Sequence, residues 1–288
     1  MRALVTGHEG FVGRHLVPKL ARAGYEVQGT EDLEDFLKSS AARKKWDVVV
    51  HLAANIINVH DRGKIGLRAF DDLKLDLKMF KWVERNPPVK ALIAMSSCAL
   101  DFPEDPYCTV KVTLEAFTSC LHRQGVPVVI LRPFSGYGGD QSPEYPFPAI
   151  LGRATRREDP LVVWGGSQVR DWVHIDDLTD AIVYGVDHFP RGVPVQIGSG
   201  IGTDFFSLAK MMADAVGYSP KIAGDPGKQS SSPRRVADPT FAKQHGWETT
   251  ITIGEGIRKA LDGQALSQVN GAGFPVFSNV SAAEVKAV

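Results

Sequence analysis

The fold is decided by the stretch Met1-Arg-Ala-Leu-Val-Thr-Gly-His-Glu-Gly-Phe-Val-Gly-Arg-His15. A short apolar run breaks there into three glycines, a pattern typical of a strand that leads into a dinucleotide-binding helix. Gly7 allows the tight turn, Gly10 lets the backbone approach a pyrophosphate, and Gly13 lets the helix pack close to the sheet. The helix N-terminus then offers N–H groups and a favourable dipole to the phosphates. An ordinary strand-to-helix turn is the alternative, and the rest of the chain must decide.

The composition limits the function classes. The chain has 288 residues, 43% of them hydrophobic, and 33 basic against 33 acidic side chains. This zero net charge gives no electrostatic reason to expect a nucleic-acid or anionic membrane partner, and no apolar run approaches the roughly 20 residues of a bilayer span. The first strand begins at once and leaves no room for a secretory signal, so we expect a cytoplasmic protein.

Cysteine and histidine usage argues against a disulfide framework and against a metal. Cys98, Cys108 and Cys120 are an odd number and form no CxxC pair, so reduced thiols are expected. The eight histidines are scattered without ligand spacing. We therefore predict no metal site.

The first half of the chain alternates short β-rich runs with helical stretches. This order predicts parallel βαβ units, hence an α/β, Rossmann-type doubly wound parallel sheet with helices on both faces. Pro18 is expected to kink the first helix or to remove one of its hydrogen bonds. The predicted strands are 2–6, 25–30, 47–52, 91–96 and 127–132, and the clearest predicted helices are 16–23, 70–84 and 108–122.

The second half changes character after Gly136, where a Pro- and Gly-rich stretch begins. We predict a nucleotide-binding domain of residues 1–136, with returning segments at about 171–198. A smaller substrate-binding lobe would comprise 137–170 and about 199–262. After about Gly263 the periodicity fades into Gly, Ser, Ala and Asn, so 263–288 is predicted to be a flexible tail.

A second chemical pattern is Tyr107-Cys-Thr-Val-Lys111 at the start of a helical stretch. The four-residue offset puts both side chains on one helix face. An ammonium group beside a phenol favours the phenolate, so the pair could exchange a hydroxyl proton while hydride moves to or from a nicotinamide. The alternative is a purely structural role, with a buried tyrosine beside a lysine that extends to solvent. The preceding predicted strand ends in Ser96-Ser97, which could supply a hydroxyl to the reacting oxygen.

Taken together, residues 1 to 262 resemble an extended short-chain dehydrogenase/reductase, the family of NAD-dependent nucleotide-sugar epimerases, dehydratases and reductases. The second half is most similar to GDP-fucose synthase-like epimerase/reductases. The motifs that carry the resemblance are TGHEGFVG (6–13), HLAA (51–54), Ser96-Ser97, Tyr107xxxLys111, LRPFSGYG (131–138), RDWVHIDDL (170–178) and PRRVADPTFAKQHGW (233–247).

The resemblance implies a bound NAD. An acidic side chain after the second strand accepts hydrogen bonds from the ribose and repels a 2′-phosphate, so Glu31 favours NAD over NADP. Glu31 and Asp32 as solvated loop charges are the alternative. The implied cofactor-binding residues are Gly7, Glu9, Gly10, Phe11, Val12, Gly13, Glu31, Leu52, Ala53, Ala54, Tyr107, Lys111 and Pro133.

The resemblance also implies a catalytic set of Ser97, Tyr107 and Lys111, with Ser96 as the alternative serine. A nucleotide-diphosphate sugar is the implied substrate, and a guanidinium suits its phosphates through paired donors. The implied substrate-binding residues are Ser135, Arg153, Trp164, Arg170 and Arg235, with Arg234 as the alternative to the last; packing and solvent-exposed roles are the alternatives for Trp164 and Arg153.

Departures from the family pattern bear on the reaction. Cys98 lies one place early for an epimerising cysteine if Ser97 is catalytic, Tyr145 stands where a histidine is expected, and no Asp-Glu pair follows the serine. Double epimerisation and dehydration are therefore disfavoured. We predict epimerisation through a keto sugar, with a nucleotide keto-sugar reductase as one alternative and a non-catalytic dinucleotide-binding sensor or scaffold as another. A homodimer is implied, formed through helices 70–84 and 108–122.

Overall fold

The computed structural model describes residues 1–54, 65–100, 105–225 and 232–269, with the backbone alone at 65–67 and 264–269. Within these ranges no helix combines the length and the apolar character that a membrane span requires. The same ranges contain no group of three histidine, cysteine or acidic side chains arranged to hold a metal ion.

Six parallel strands form the main sheet. They are β1 (Arg2–Thr6), β2 (Glu26–Thr30), β3 (Val48–His51), β4 (Ala91–Met95), β5 (Val128–Pro133) and β9 (Pro194–Ile197). Their order is β2–β1–β3–β4–β5–β9, and every neighbouring pair is parallel. This topology confirms the predicted doubly wound α/β fold. Because the strands are parallel, their carboxyl ends lie along one edge of the sheet, where such folds bind ligands.

Helices cover both faces of the main sheet because successive side chains of a strand point to opposite faces. Ala3 and Val5 of β1 belong to the core on one face, whereas Leu4 belongs to the core on the other. The first core includes residues of α1 (Phe11–Arg22) and α6 (Ile175–His188); the second includes residues of α2 (Leu33–Lys38), a 3₁₀ turn (Ser40–Arg43), α3 (Ile65–Arg85) and α4 (Pro106–Arg123).

The second half adds two small sheets around a separate apolar core. Strand β8 (Val169–His174) pairs with β6 (Ser135–Tyr137), β10 (Gly202–Asp204) and β12 (Arg234–Arg235), while β7 (Leu161–Trp164) pairs with β11 (Ile222–Asp225). The fully buried Asp171 accepts hydrogen bonds from the backbone of Ser199, Gly200 and Ala237 and so ties these loops to β8. The remaining helices are α5 (Pro146–Thr155), α7 (Phe205–Val216), α8 (Thr240–Gln244) and α9 (Ile253–Val269).

Three predicted boundaries need correction, and the first is the start of α3, which lies at Ile65 rather than at residue 70. Helix α1 begins at Phe11 rather than at residue 16, because extended Gly10 ends the turn and its carbonyl accepts from Arg14 N at 3.0 Å. The helix runs through Pro18 to Arg22. Helix α9 continues to Val269, so the tail predicted from 263 begins inside a helix; Ala and Leu at 265 and 266 are good helix formers. The rest of that predicted tail, 270–288, lies outside the described residues.

Candidate active site

The glycine turn between β1 and α1 is closely packed. Gly7 has φ +67°, and a Cβ at Gly13 would lie 2.3 Å from the Gly7 carbonyl oxygen and 2.5 Å from His8 Cα. Gly10 caps α1, and no described side chain bonds to the first N–H groups of this helix. A helix N-terminus in this state offers donors and a positive dipole end to an anion. The turn therefore fits a pyrophosphate.

The two acidic residues after β2 have different roles. Asp32 caps α2, and its carboxylate accepts from Glu34 N at 2.8 Å and from Asp35 N at 3.0 Å. Glu31 instead reaches the glycine turn, where its Oε1 accepts from Glu9 N at 2.7 Å and lies 2.9 Å from His8 Nδ1. Glu31 is thus held beside the turn with its carboxylate partly exposed.

The end of β3 forms the floor beneath the glycine turn. A Cβ at Gly7 would lie 2.8 Å from Ala53 N, so the two segments touch through their backbones. Ala54 is exposed beside them. Phe11, with Val12 half-buried behind it, packs against the second half of the chain, since a Cβ at Gly138 would lie 3.1 Å from Phe11 Cζ.

Tyr107 and Lys111 lie on one face at the start of α4, as their spacing predicts. The helix is started by Asp105, whose Oδ1 accepts from Tyr107 N at 2.9 Å, with Pro106 at the first helical position. Lys111 is buried, and its Nζ donates to the Met95 carbonyl at 2.9 Å. That ammonium lies 5.9 Å from the centre of the Tyr107 ring.

The neighbouring serines at the end of β4 face different partners. Ser96 Oγ donates to Glu115 Oε1 at 2.5 Å, and Arg132 binds both oxygens of Glu115 at 2.7 and 2.6 Å. Ser97 instead borders a cavity. Glu115 was not among the predicted site residues, although it follows Tyr107 and Lys111 at the same four-residue interval.

The cavity beside Ser97 has a volume of about 220 Å³. Burial raises the pKa of the Cys98 thiol, although the guanidinium groups of Arg235 and Arg170 oppose the shift. Arg235 Nε is buried, and among the described residues nothing accepts its hydrogen bond. The lining residues are Ser97, Cys98, Leu100, Arg132, Phe134, Gln196, Arg234, Arg235 and Val236.

Some predicted substrate-binding residues do not line this cavity. Arg170 is buried and donates to Gln168 Oε1 at 2.8 Å and to the Ser232 carbonyl at 3.1 Å. Arg153 lies over the Trp164 ring, with its guanidinium carbon 5.0 Å from the ring centre. These three residues contact their own lobe, and their roles in binding stay predictions.

Three further residues lie around the carboxyl ends of β4 and β5. The Pro133 carbonyl accepts from Cys98 N at 3.2 Å, and Ser135 follows in β6, paired with Trp172. Burial, with the charges of Tyr107 and Glu144, raises the pKa of Tyr145 to about 12. The Tyr145 phenol therefore stays protonated near neutral pH.

The fold and these side chains define a protein of the dinucleotide-binding α/β class, with a tyrosine and a lysine together at the start of α4. A family model described as "NAD dependent epimerase/dehydratase family" matches residues 3–198. The chain therefore belongs to this family, which confirms the resemblance read from the sequence.

Individual relatives are distant. GDP-L-fucose synthase of Escherichia coli K12 is 24% identical, over 89% of this chain and 94% of that protein. UDP-glucose 4-epimerase of Mycolicibacterium smegmatis is 26% identical, over 91% of this chain and 98% of that protein. The structure of UDP-glucose 4-epimerase from Thermotoga maritima has a TM-score of 0.84 at 23% identity, covering 93% of this chain and all of that one, and shows the shared fold.

Proposed function

We propose that this protein modifies a nucleotide-diphosphate sugar by NAD-dependent hydride transfer at one sugar carbon, and that it epimerises the sugar through a keto intermediate. The observation that carries the proposal is that Lys111 lies 5.9 Å from the centre of the Tyr107 ring and is bound to Met95, the last residue of β4, at the carboxyl edge of the sheet that also holds the glycine turn. Family membership supports the same class of chemistry.

The residues around the glycine turn fit a dinucleotide. A Cβ at Gly7 or Gly13 would collide with backbone atoms, so these glycines keep the turn tight, and the start of α1 offers its N–H groups to the pyrophosphate. When bound, NAD would supply the acceptor and donor of hydride. Glu31 stands where it can accept hydrogen bonds from a ribose and repel a 2′-phosphate, which favours NAD over NADP.

Tyr107 is proposed to take and return the proton of the reacting hydroxyl. The buried Lys111 ammonium lies 5.9 Å from the centre of the Tyr107 ring, and its bond to the Met95 carbonyl holds it in place. Ser97 is proposed to hydrogen-bond the reacting oxygen, because its neighbour Ser96 is already bound to Glu115.

The protonation of the neighbouring groups favours reaction at the oxidised carbon itself. Removal of a C–H proton from an adjacent carbon needs a base, but burial raises the pKa of Cys98 and that of Tyr145, and keeps both protonated near neutral pH. Inversion by hydride removal and return to the opposite face needs only Tyr107 as acid and base. A single epimerisation is therefore favoured over the double type.

Arg235 is proposed to bind the diphosphate. Its buried Nε–H lacks an acceptor among the described residues, and a phosphate oxygen would satisfy it with a charge-assisted bond. Arg153, Trp164, Arg170 and Ser135 remain proposed contacts around the nucleotide and sugar.

A homodimer is proposed through α3 and α4. Both helices present exposed apolar side chains, of which Phe70 is 62% and Phe117 is 42% exposed. A second copy could cover these side chains, since helix pairs commonly bury such faces. Sedimentation of the purified protein would measure its mass.

The test begins with mass spectrometry of the purified protein for bound NAD, and a thermal-shift screen of UDP-, GDP-, dTDP- and CDP-sugars. A stabilising sugar is then incubated with the enzyme and followed by NMR. Conversion to the epimer without added reductant supports epimerisation; conversion that requires NADH or NADPH supports the reductase alternative. Bound NAD without turnover of any sugar supports the sensor or scaffold alternative.

Tyr107→Phe is the matched variant for this assay. It removes the phenolic hydroxyl that exchanges the proton, so turnover should fall by at least about 100-fold, the scale of general acid–base catalysis, while NAD stays bound. Retained turnover, or loss of NAD together with turnover, contradicts the assignment.

A further inference from the structure

A chain of buried polar side chains runs from β1 to α3, apart from the proposed chemistry. Thr6, His51 and Asp76 are 1%, 3% and 6% exposed. Thr6 Oγ1 lies 2.8 Å from His51 Nδ1, and His51 Nε2 lies 2.9 Å from Asp76 Oδ1. Three strongly polar groups are thus buried in contact with one another, in a place where apolar side chains would normally pack.

Counting the available hydrogen atoms shows which group donates and which accepts in each of these hydrogen bonds. Thr6 Oγ1 accepts from Leu52 N and from Ala53 N, each at 3.2 Å. A hydroxyl has two acceptor sites and one proton, so its proton points to His51 Nδ1. His51 Nδ1 is then an acceptor, and the ring proton lies on Nε2, which donates to Asp76. The order of donation is therefore Leu52–Ala53 backbone, Thr6, His51, Asp76.

The Leu52–Ala53 backbone segment, from which this series of hydrogen bonds starts, forms the floor of the proposed cofactor site. A Cβ at Gly7 would lie 2.8 Å from Ala53 N and 2.9 Å from Ala53 Cα, so the glycine turn rests directly on this segment. A small shift of Leu52 and Ala53 would therefore shift the turn. Tight packing transmits such displacements because closely packed atoms cannot move independently of one another.

Burial of Asp76 is unfavourable for folding, so its presence is not explained by a contribution to stability. Its Oδ2 is buried, and no described group donates to it. A buried carboxylate oxygen without a donor is unfavourable, and an apolar pair at 51 and 76 could fill the same space without that cost. Asp76 is the sole group seen to accept from His51 Nε2 in the described part of the chain, so its effect is to orient that ring.

We propose that Asp76 is a positioning residue for the dinucleotide: acting through His51 and Thr6, it fixes the Leu52–Ala53 segment on which the glycine turn rests. This inference rests on the proposed dinucleotide site. Asp76 lies on α3, remote from the glycine motif in sequence, and acts without touching the ligand.

The test compares Asp76→Ala with Asp76→Asn. Asp76→Ala leaves His51 Nε2–H without an acceptor, so the dissociation constant for NAD should rise about tenfold, while kcat at saturating NAD changes less than about twofold. The Asn amide oxygen still accepts from Nε2–H, so Asp76→Asn should restore most of the lost affinity. Because Thr6 still donates to Nδ1, His51 should stay the Nε2–H tautomer in Asp76→Ala, but NMR of ¹⁵N-histidine-labelled protein should show the Nε2–H proton shifted upfield as its hydrogen bond to Asp76 is lost.

Asp177→Ala is the control for general destabilisation. Asp177 is a buried acid on α6 that accepts from Thr250 N, Thr250 Oγ1 and Ile251 N, away from the proposed cofactor floor. It should lower the melting temperature without changing NAD affinity. Should Asp76→Ala prove insoluble, Thr6→Val tests the chain from its other end, with Thr6→Ser retaining the hydroxyl.

Each outcome decides the proposal. Raised dissociation constants in Asp76→Ala and Thr6→Val, with rescue by the conservative variants and an upfield shift of the His51 Nε2–H proton in Asp76→Ala, support it. Unchanged NAD affinity in both variants, or an equal loss in Asp177→Ala, overturns it while leaving the proposed function intact. A wild-type protein that binds no dinucleotide overturns the proposed function itself.

Discussion

Gly13→Ala is the perturbation whose effect follows most directly from the geometry. The new Cβ would lie 2.3 Å from the Gly7 carbonyl oxygen, 2.5 Å from His8 Cα and 2.6 Å from His8 C. Ordinary contact begins near 3.4 Å, so the first distance falls short by about 1 Å. Alanine has no side-chain torsion that could relieve the overlap, and all three obstructing atoms belong to the backbone. The turn or the helix must move.

Helix α1 resists this movement because Leu16 and Leu20 are fully buried against the sheet. Overpacking of this kind costs about 1–3 kcal/mol, and contact with three backbone atoms in a rigid turn puts Gly13→Ala near the upper end. We expect a loss of about 3 kcal/mol in the free energy of unfolding, measured by urea denaturation.

Gly10→Ala is the comparison that separates stability from binding. Its Cβ would meet only the Gly7 carbonyl oxygen, at 3.2 Å, so a shift of the turn by a few tenths of an ångström would relieve the contact. The loss of unfolding free energy should be about 1 kcal/mol or less, but the methyl group would project where a pyrophosphate approaches, and NAD affinity measured by calorimetry should fall at least about tenfold. Gly13→Ala within 1 kcal/mol of wild type, or Gly10→Ala with unchanged NAD affinity, would refute this reasoning.

Three other predictions follow from single side chains. Glu31→Arg should raise affinity for NADP relative to NAD in parallel titrations; an unchanged ratio would locate the discrimination elsewhere. Arg235→Gln should weaken UDP binding about tenfold while leaving uridine unaffected, and equal effects on both would count against phosphate contact. Burial alone would raise the pKa of Asp140, but hydrogen bonds from His15 and Arg14 lower this pKa to about 2. The stabilisation is therefore complete above the unfolded-state value near pH 4 and lost as the pH falls towards 2. Asp140→Asn should remove this part of the acid dependence in urea unfolding, whereas an unaltered dependence would contradict it.

The parallel sheet was predictable because its signal is local. The five strands predicted in the first half begin and end within a residue of the observed ones, since β1, β3, β4 and β5 are largely apolar runs bounded by turns. The start of α1 was missed because glycines at positions 10 and 13 are poor helix formers, yet the packing of Gly13 requires a helix there. Local propensity was overridden by tertiary contact.

The partners of the site residues could not be predicted from the sequence. Neighbouring residues of an extended chain point in opposite directions, so Ser96 and Ser97 meet different surroundings although their chemistry is the same. Arg170 is bound to Gln168 and to the Ser232 carbonyl, a contact across 62 residues of sequence. A motif specifies that a guanidinium is present, but only the folded chain determines which acceptors it meets.

The proposed reaction also requires that cofactor and sugar be held at a fixed separation, and α1 connects the two sites. Phe11 and Arg14 of this helix contact the loop that begins at Gly138, and Arg14 donates to both the carboxylate and the carbonyl of Asp140, at 2.8 and 2.6 Å. The same loop leads to Tyr145, whose pKa responds to the charge of Tyr107. Charge-assisted hydrogen bonds at these distances are among the stronger non-covalent contacts in proteins. The helix that would hold the pyrophosphate therefore also anchors the loop beside the proposed catalytic tyrosine, and hydride transfer, which depends steeply on distance, gains from that shared anchor.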